Sequence, residues 1–196
     1  MPYEAEWIID NIRSHGYEAF IVGGCVRDAV LGRIPGDWDI TTSAKPEQVK
    51  EIFGKTVDTG LKHGTVTIIK HGKGYEVTTY RIDGEYLDGR HPETVEFTPD
   101  LREDLKRRDF TINAMAYNDD ERLVDAFGGM RDLNYHLIRC VGDPKERFSE
   151  DALRICAQYV FLRSWHFQSS RRPQKRSKVW RRIWKRSVQS GFRQSW

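Results

Sequence analysis

A chain of 196 residues with 38% hydrophobic residues can bury one core, which suggests one domain with an appendage. It contains no apolar run of about 18 residues and no signal-peptide pattern at its N-terminus, which argues against a membrane-spanning or exported protein. The three cysteines are widely spaced and form no C-x-x-C pair, which favours free thiols in a reducing compartment. We therefore expect a cytoplasmic protein with no membrane partner.

The net charge of +3 divides unevenly along the chain. Residues 157–196 contain eleven Lys or Arg and no acid, whereas residues 1–156 contain 21 basic and 29 acidic residues. Four of the six tryptophans also lie in the last segment. We treat 157–196 as a separate basic, Trp- and Arg-rich tail and expect it to be disordered or loosely helical.

Hydrophobic periodicity predicts short strands and helices that build one α/β (α+β) domain with a mixed sheet and helices on one side. The predicted helices span residues 4–13, 26–31, 46–53, 101–107 and 111–115, with another after Pro144. The predicted strands lie near residues 19–22, 40–42, 56–59, 65–69, 75–80, 116–117, 122–124 and 137–141. Residues 81–99 are polar and too long for a tight turn, so we expect a mobile loop there.

Two acids stand close together in the heptapeptide GDWDITT, where the strand predicted at 40–42 starts. Alternate side chains of a strand share a face, so Asp37 and Asp39 are predicted to point the same way. Paired carboxylates with open positions for substrate phosphates suit Mg²⁺. A turn explains the same residues, because Pro-Gly-Asp is ordinary turn chemistry.

An anion site is indicated shortly before the acids, where a strand ends at Gly23 and Gly24 and a helix begins. Free backbone N–H groups and the positive helix end meet there, and Arg27 could add a guanidinium. A strand-turn-helix corner with a solvated Arg27 is the alternative. Glu76, in the strand at 75–80, is the candidate for a third acid, although an exposed strand glutamate fits equally. A phosphate cradle beside paired carboxylates is the layout for nucleotidyl transfer.

The motifs GGCVRD and DWDITT, followed by KRRDFTINAMAY, DAFGGMRDL and EDALR, resemble the class II tRNA nucleotidyltransferases, the CCA-adding enzymes, and the related bacterial poly(A) polymerases. The resemblance covers residues 1–156 almost continuously. It implies a polymerase-β-like nucleotidyltransferase head at 1–140 and the start of a truncated helical neck at 141–156. It also implies Mg²⁺-dependent addition of CMP and AMP, from CTP and ATP, to the 3′ end of tRNA.

The resemblance further implies roles for individual residues in the first half of the chain. Asp37 and Asp39 are the catalytic carboxylates that hold two Mg²⁺ ions, and Glu76 assists them. One metal activates the 3′-hydroxyl, and the other steadies the triphosphate and the leaving pyrophosphate. The glycine pair and the helix that follows it are expected to bind the triphosphate through Gly23, Gly24 and Arg27.

Later motifs are implied to read the nucleotide. Arg108 and Asp109 bind it, with Asp109 near the ribose hydroxyls; a helix-start acid beside two arginines is the alternative for Asp109. Asp151 and Arg154 lie three residues apart on a predicted helix, where an ordinary surface ion pair is the alternative. The family implies that this pair reads the Watson–Crick edge of CTP or ATP, and that the loop at 81–99 helps the switch from C to A addition.

After EDALRIC the chain departs from the family pattern. Arginines expected three and six positions beyond Arg154 are Ala157 and Val160 here. Reading the codons of Trp165 and His166 one base earlier permits the family's helix, so we predict a one-base deletion near codons 156 and 157. An RNA-binding tail, with basic residues on phosphates and tryptophans on bases, and a basic amphipathic membrane helix are the alternatives.

For a chain with only the start of a neck, we expect weak or absent 3′-end addition. Two other functions stay open at this point. The head of a bacterial poly(A) polymerase carries the same motifs, and a non-enzymatic remnant that binds NTP and RNA fits the charge distribution.

Overall fold

The computed structural model of the protein describes residues 1–84, 94–144 and 168–169. Its α-helices in these ranges are α1 (Tyr3–Ser14), α2 (Gly24–Val30), α3 (Pro46–Ile52), α4 (Leu101–Lys106) and α5 (Gly129–Asn134). The strands are β1 (Ala19–Val22), β2 (Ile40–Thr42), β3 (Thr56–Gly60), β4 (Thr65–Lys70), β5 (Lys73–Thr79), β6 (Arg81–Asp83), β7 (Val95–Phe97), β8 (Ala116–Asn118), β9 (Arg122–Val124), β10 (Leu137–Ile138) and β11 (Gln168–Ser169). Short 3-10 turns occupy Leu61–His63 and Thr111–Asn113.

The main sheet has seven strands in the order β3-β4-β5-β2-β1-β8-β9. β2 and β5 run parallel, and the other neighbouring pairs are antiparallel. The predicted mixed sheet is therefore confirmed. Because β2 lies between β1 and β5, the segment just before β2 lies beside the end of β1 and at the level of the middle of β5.

α1 forms because its apolar residues recur at helical spacing. Ala5, Ile8, Ile9 and Ile12 are all buried, while the opposite side of the helix carries acids and asparagine. This stripe is the pattern of a helix that packs one face on a sheet. Each buried isoleucine contributes about 1.5–3 kcal/mol to folding relative to an exposed one.

The sheet is covered on both faces. Along β1, Ala19 and Ile21 pack in the core cluster that contains the buried residues of α1 and α3. Phe20 and Val22 point the other way and pack in a second cluster with Leu105 of α4. Our expectation of helices on one side was therefore wrong for α4. All four residues of β1 are apolar and buried, and alternate side chains of a strand face opposite sides. Both sides of β1 are therefore apolar, and each requires a covering layer.

The predicted loop at 81–99 begins and ends as regular structure. β6 and β7 pair antiparallel, with Arg81 opposite Phe97 and Asp83 opposite Val95. The loop prediction was wrong for these ends. The alternation of polar and apolar residues in R-I-D and V-E-F is only three residues long, and the polar residues around it make the strand pattern hard to recognise. Residues 85–93, the rest of that prediction, lie outside the described residues.

The second half of the segment DAFGGMRDL lies in α5, which is absent from the helices predicted from sequence. The Asp125 carboxylate accepts hydrogen bonds from the Gly129 and Met130 backbone N–H groups at 2.7 and 2.9 Å, so it caps the helix start. Gly128 has φ of 78°, a left-handed conformation that favours glycine. The helix predicted at 111–115 is a 3-10 turn. The strand predicted at 137–141 is shorter, with Cys140 bridging to Phe110 beyond β10.

β11 pairs parallel with β10, with Leu137 opposite Gln168. The two residues of β11 form an extended pair, although the tail that contains them was expected to be disordered or loosely helical. The rest of that tail, the helix predicted after Pro144 and residues 145–156 of the predicted neck lie outside the described residues. No helix in the described part of the chain is long and apolar enough to cross a membrane.

Candidate active site

The two acids of GDWDITT directly precede β2. β2 begins at Ile40, and the backbone pairing with β1 extends back to Asp39, whose carbonyl accepts a hydrogen bond from the Val22 N–H at 3.0 Å. Asp37 and Asp39 are both exposed. The acids therefore lie just before the first residue of β2, on a short irregular segment. The hydrogen bond with Val22 fixes this segment to the sheet at Asp39.

The carboxylate of Asp39 interacts with the other acid and with a basic side chain from a distant part of the sequence. Surrounding protein atoms restrict hydration of the Asp39 carboxylate and raise its pKa above the ordinary value. The positive charge of Arg108 opposes this rise, and the negative charge of Asp37 adds to it. Two carboxylates whose charges repel in this way form a site that a divalent cation would stabilise.

Glu76 lies on the neighbouring parallel strand. Ile40 pairs with Val77, so Asp39 precedes its strand at the level of Glu76, which is exposed. In the described ranges 1–84 and 94–144, no group of three or more His, Cys, Asp or Glu side chains is arranged to hold a metal ion. Asp37 and Asp39 remain the candidate metal ligands because their carboxylates lie close enough for their charges to interact. The assisting role of Glu76 stays a prediction.

The glycine pair lies between two guanidinium groups. Gly23 has φ of 81°, and a Cβ at that position would lie 3.1 Å from Nη1 of Arg108. A Cβ at Gly24 would lie 3.5 Å from Nη2 of Arg27. The missing side chains therefore leave room beside both guanidinium groups. Two guanidinium groups beside one turn are suited to an anion such as a phosphate.

Arg27 is held in place by its neighbours. It is only 8% exposed, and its Nε and Nη2 donate to the two carboxylate oxygens of Asp28 at 3.0 and 3.1 Å. Its Nη1 donates to Oδ1 of Asn113 at 2.5 Å. The alternative of a solvated Arg27 was wrong, because α2 turns this side chain onto the 3-10 turn that contains Asn113.

Asp109 stands at the start of the same turn. Its Oδ1 accepts hydrogen bonds from the Phe110 N–H at 2.7 Å and from Nδ2 of Asn113 at 3.1 Å. No hydrogen bond from a described residue reaches its Oδ2, which leaves an acceptor available in a half-buried position. Both the capping role and a contact with a ribose hydroxyl are compatible with this geometry. Asn113, to which the sequence analysis gave no role, links Asp109 to Arg27.

A buried carboxylate behind the site also escaped the sequence analysis. Asp104 of α4 is fully buried and forms ion pairs with Arg107 and Arg108, at 2.9 and 3.4 Å. The available signal was spacing, since these residues lie three and four positions apart, where helical side chains meet. Asp151 and Arg154, the predicted base-reading pair, lie outside the described residues.

Comparison with known proteins finds similar sequences and structures. The sequence profile of the Poly A polymerase head domain matches residues 19–139, which contain both acids, the glycine pair and Arg108. A CCA-adding enzyme of Limosilactobacillus fermentum is 53% identical over 161 residues, covering 82% of this chain and 40% of that protein.

Solved structures of CCA-adding enzymes share the fold. The Bacillus stearothermophilus enzyme in complex with CTP superimposes with a TM-score of 0.78 at 46% identity, covering 87% of this chain and 42% of that one. The Thermotoga maritima enzyme complexed with tRNA superimposes with a TM-score of 0.66 at 26% identity, covering 96% and 42%. The chain thus spans about two fifths of the length of these relatives.

Proposed function

The chain belongs to the poly A polymerase head domain family, and on that premise we propose that it is a nucleotidyltransferase head that adds CMP and AMP to the 3′ end of tRNA. One observation carries the proposal. The turn at Gly23 and Gly24 lies between Arg27 and Arg108, and Arg108 also acts on Asp39. A phosphate-binding surface and a candidate metal site therefore adjoin, as transfer of a nucleotide requires. CTP and ATP are the proposed substrates, and a CCA-adding enzyme of similar structure was solved in complex with CTP.

Mg²⁺ is the proposed metal, held by Asp37 and Asp39. The donor set fits, because both ligands are hard carboxylate oxygens. Restricted hydration is the main cause of the raised pKa of Asp39, and the negative charge of Asp37, which adds to it, is one that a cation would offset. Too few protein ligands are present for a closed cage, which leaves positions for water and triphosphate oxygens. When bound, the metal would acidify the attacking 3′-hydroxyl and stabilise negative charge on the leaving pyrophosphate.

The residues of the chain itself bind and orient the substrate. Arg27 and Arg108 neutralise the triphosphate beside the glycine pair, and the fixed geometry of Arg27 means that little conformational freedom is lost on binding. Asp109 accepts a hydrogen bond from a ribose hydroxyl, which favours ribonucleotides over deoxyribonucleotides. We propose that Asp151 and Arg154 select between the bases of CTP and ATP.

The test separates nucleotide binding from 3′-end addition. Binding of CTP with Mg²⁺ is measured by calorimetry, and addition is measured with radiolabelled CTP and ATP on a tRNA that lacks its terminal CCA. We expect measurable CTP binding. Addition by these 196 residues should be weak or absent, because they span only about two fifths of the length of the relatives.

The control variants identify the site. Asp37→Ala with Asp39→Ala should abolish any addition and the Mg²⁺ dependence of CTP binding, whereas Asp10→Ala, at an exposed position of α1, should change neither. CTP binding that is independent of Mg²⁺ and unaffected by the double substitution would refute the metal assignment. Long products with ATP alone would instead indicate a poly(A) polymerase. RNA binding with a steep salt dependence but no 3′-end addition would favour the non-enzymatic remnant.

A further inference from the structure

Asp104 contacts several segments around the candidate active site, and the proposed function gives it no role. Its side chain is fully buried at the end of α4. Oδ1 accepts hydrogen bonds from Nε of Arg107 at 2.9 Å and from the Arg81 backbone N–H at 3.3 Å. Oδ2 lies 3.1 Å from Oγ1 of Thr41 and 3.4 Å from Nη2 of Arg108. One carboxylate thus contacts β2, the start of β6 and the segment that follows α4.

The contact with Arg108 determines where that guanidinium lies. Within the described residues, the carboxylate of Asp104 is the ion-pair partner of Arg108, and Nε of Arg108 is buried without a hydrogen-bond partner. The other end, Nη1, lies 3.1 Å from where a Cβ of Gly23 would stand. An arginine held at one end by a buried carboxylate presents its other end in one fixed direction. Here that direction is the glycine turn.

The contact with Thr41 ties the same carboxylate to the strand that carries the acids. Thr41 is fully buried and lies two residues after Asp39, and its Oγ1 is also 3.3 Å from the carbonyl of Thr78 on the parallel strand β5. A change at Asp104 would therefore act on the guanidinium and on the position of β2 together.

Given the proposed function, we propose that Asp104 is a positioning residue that holds the Arg108 guanidinium at the glycine turn to receive the substrate triphosphate. The carboxylate is ionised where it lies. Burial by itself would raise the pKa of Asp104, but the positive charges of Arg108 and Arg107 outweigh burial and lower it. Asp104 does not touch the substrate, and it acts through Arg108.

The experiment is a double-mutant cycle on ligand binding. CTP with Mg²⁺ and inorganic tripolyphosphate are titrated into the whole chain and into Asp104→Asn, Arg108→Gln and the double variant. Asp104→Asn should weaken binding of both ligands about tenfold, the loss expected for one charge-assisted hydrogen bond. The double variant should bind no more weakly than Arg108→Gln, because Asp104 acts only through that arginine.

A matched control separates positioning from stability. Arg107→Gln removes the other ion pair of Asp104, so it should lower the melting temperature while binding CTP like the wild type. If Asp104→Asn does not fold by circular dichroism, Asp104→Glu replaces it in the same cycle with the same expectation. Independent, additive losses, or wild-type binding by the Asp104 variant, would overturn the positioning role alone. A wild-type chain that binds neither ligand would overturn both this proposal and the proposed function.

Discussion

Gly129→Ala adds one methyl group at a position where the protein has no room. Gly129 is buried at the start of α5, and a Cβ there would lie 2.8 Å from Cγ and Sδ of Met115 and even closer to the carbonyl oxygen of Thr111. A methionine side chain can shift, but a backbone carbonyl cannot. That carbonyl accepts the Ala114 N–H at 3.1 Å, within the turn that also holds Asn113 against Arg27.

The magnitude follows from two opposing effects. Overpacking of a filled site costs about 1–3 kcal/mol, and contact with a rigid carbonyl places this site at the upper end. Alanine recovers up to about 1 kcal/mol because it favours a helix more than glycine does. The net loss should be about 2 kcal/mol, which lowers the melting temperature by about 4–8 °C for a protein of this size.

Thermal and urea denaturation measure the loss, with Gly54→Ala as the control. Gly54 is exposed after α3, has an ordinary φ and has no heavy atom within 4 Å of an added Cβ, so this variant should stay within about 0.5 kcal/mol of the wild type. Equal stability of Gly129→Ala and the wild type would refute the packing argument. Equal losses in both variants would show that backbone freedom, rather than the contact with Thr111, sets the cost.

The remaining predictions concern a helix cap, acid stability and the end of the chain. Asp125→Ala removes the carboxylate that caps α5 and should lower the free energy of unfolding by about 1 kcal/mol in urea titrations, whereas Asp125→Asn should lose less. Because the positive charges of Arg108 and Arg107 hold the folded pKa of Asp104 below its ordinary value, the stabilising contribution of Asp104 is present at neutral pH. It is lost as the pH falls through the ordinary aspartate pKa to the lowered folded one. Asp104→Asn should flatten that part of the stability curve, and an unchanged acid slope would contradict it. A one-base deletion near codons 156 and 157 predicts that the gene's neighbouring reading frame encodes an arginine-containing helix; genomic sequencing that finds no such frame would exclude it.

The local elements were predictable because their causes are local. The strands at Ala19–Val22, Ile40–Thr42 and Arg122–Val124 have the predicted bounds, since runs of apolar and β-branched residues between turn residues specify them. Elements whose causes are polar or distant were missed. The ribbon of β6 and β7 is polar, and the lack of room for a side chain at Gly129 comes from the carbonyl of Thr111, 18 residues earlier in the chain.

The sequence by itself determined the mixed α/β head, the family and the motifs that carry the candidate site, because each depends on residue types at fixed spacings. Tertiary structure alone decided that Arg27 is buried against Asn113 and that Asp104 meets Thr41, contacts that join residues 86 and 63 positions apart. It also decided the parallel register that sets Asp39 level with Glu76. Such contacts arise only when helices and strands pack into a common core, and no local pattern of side chains encodes which distant partners will meet.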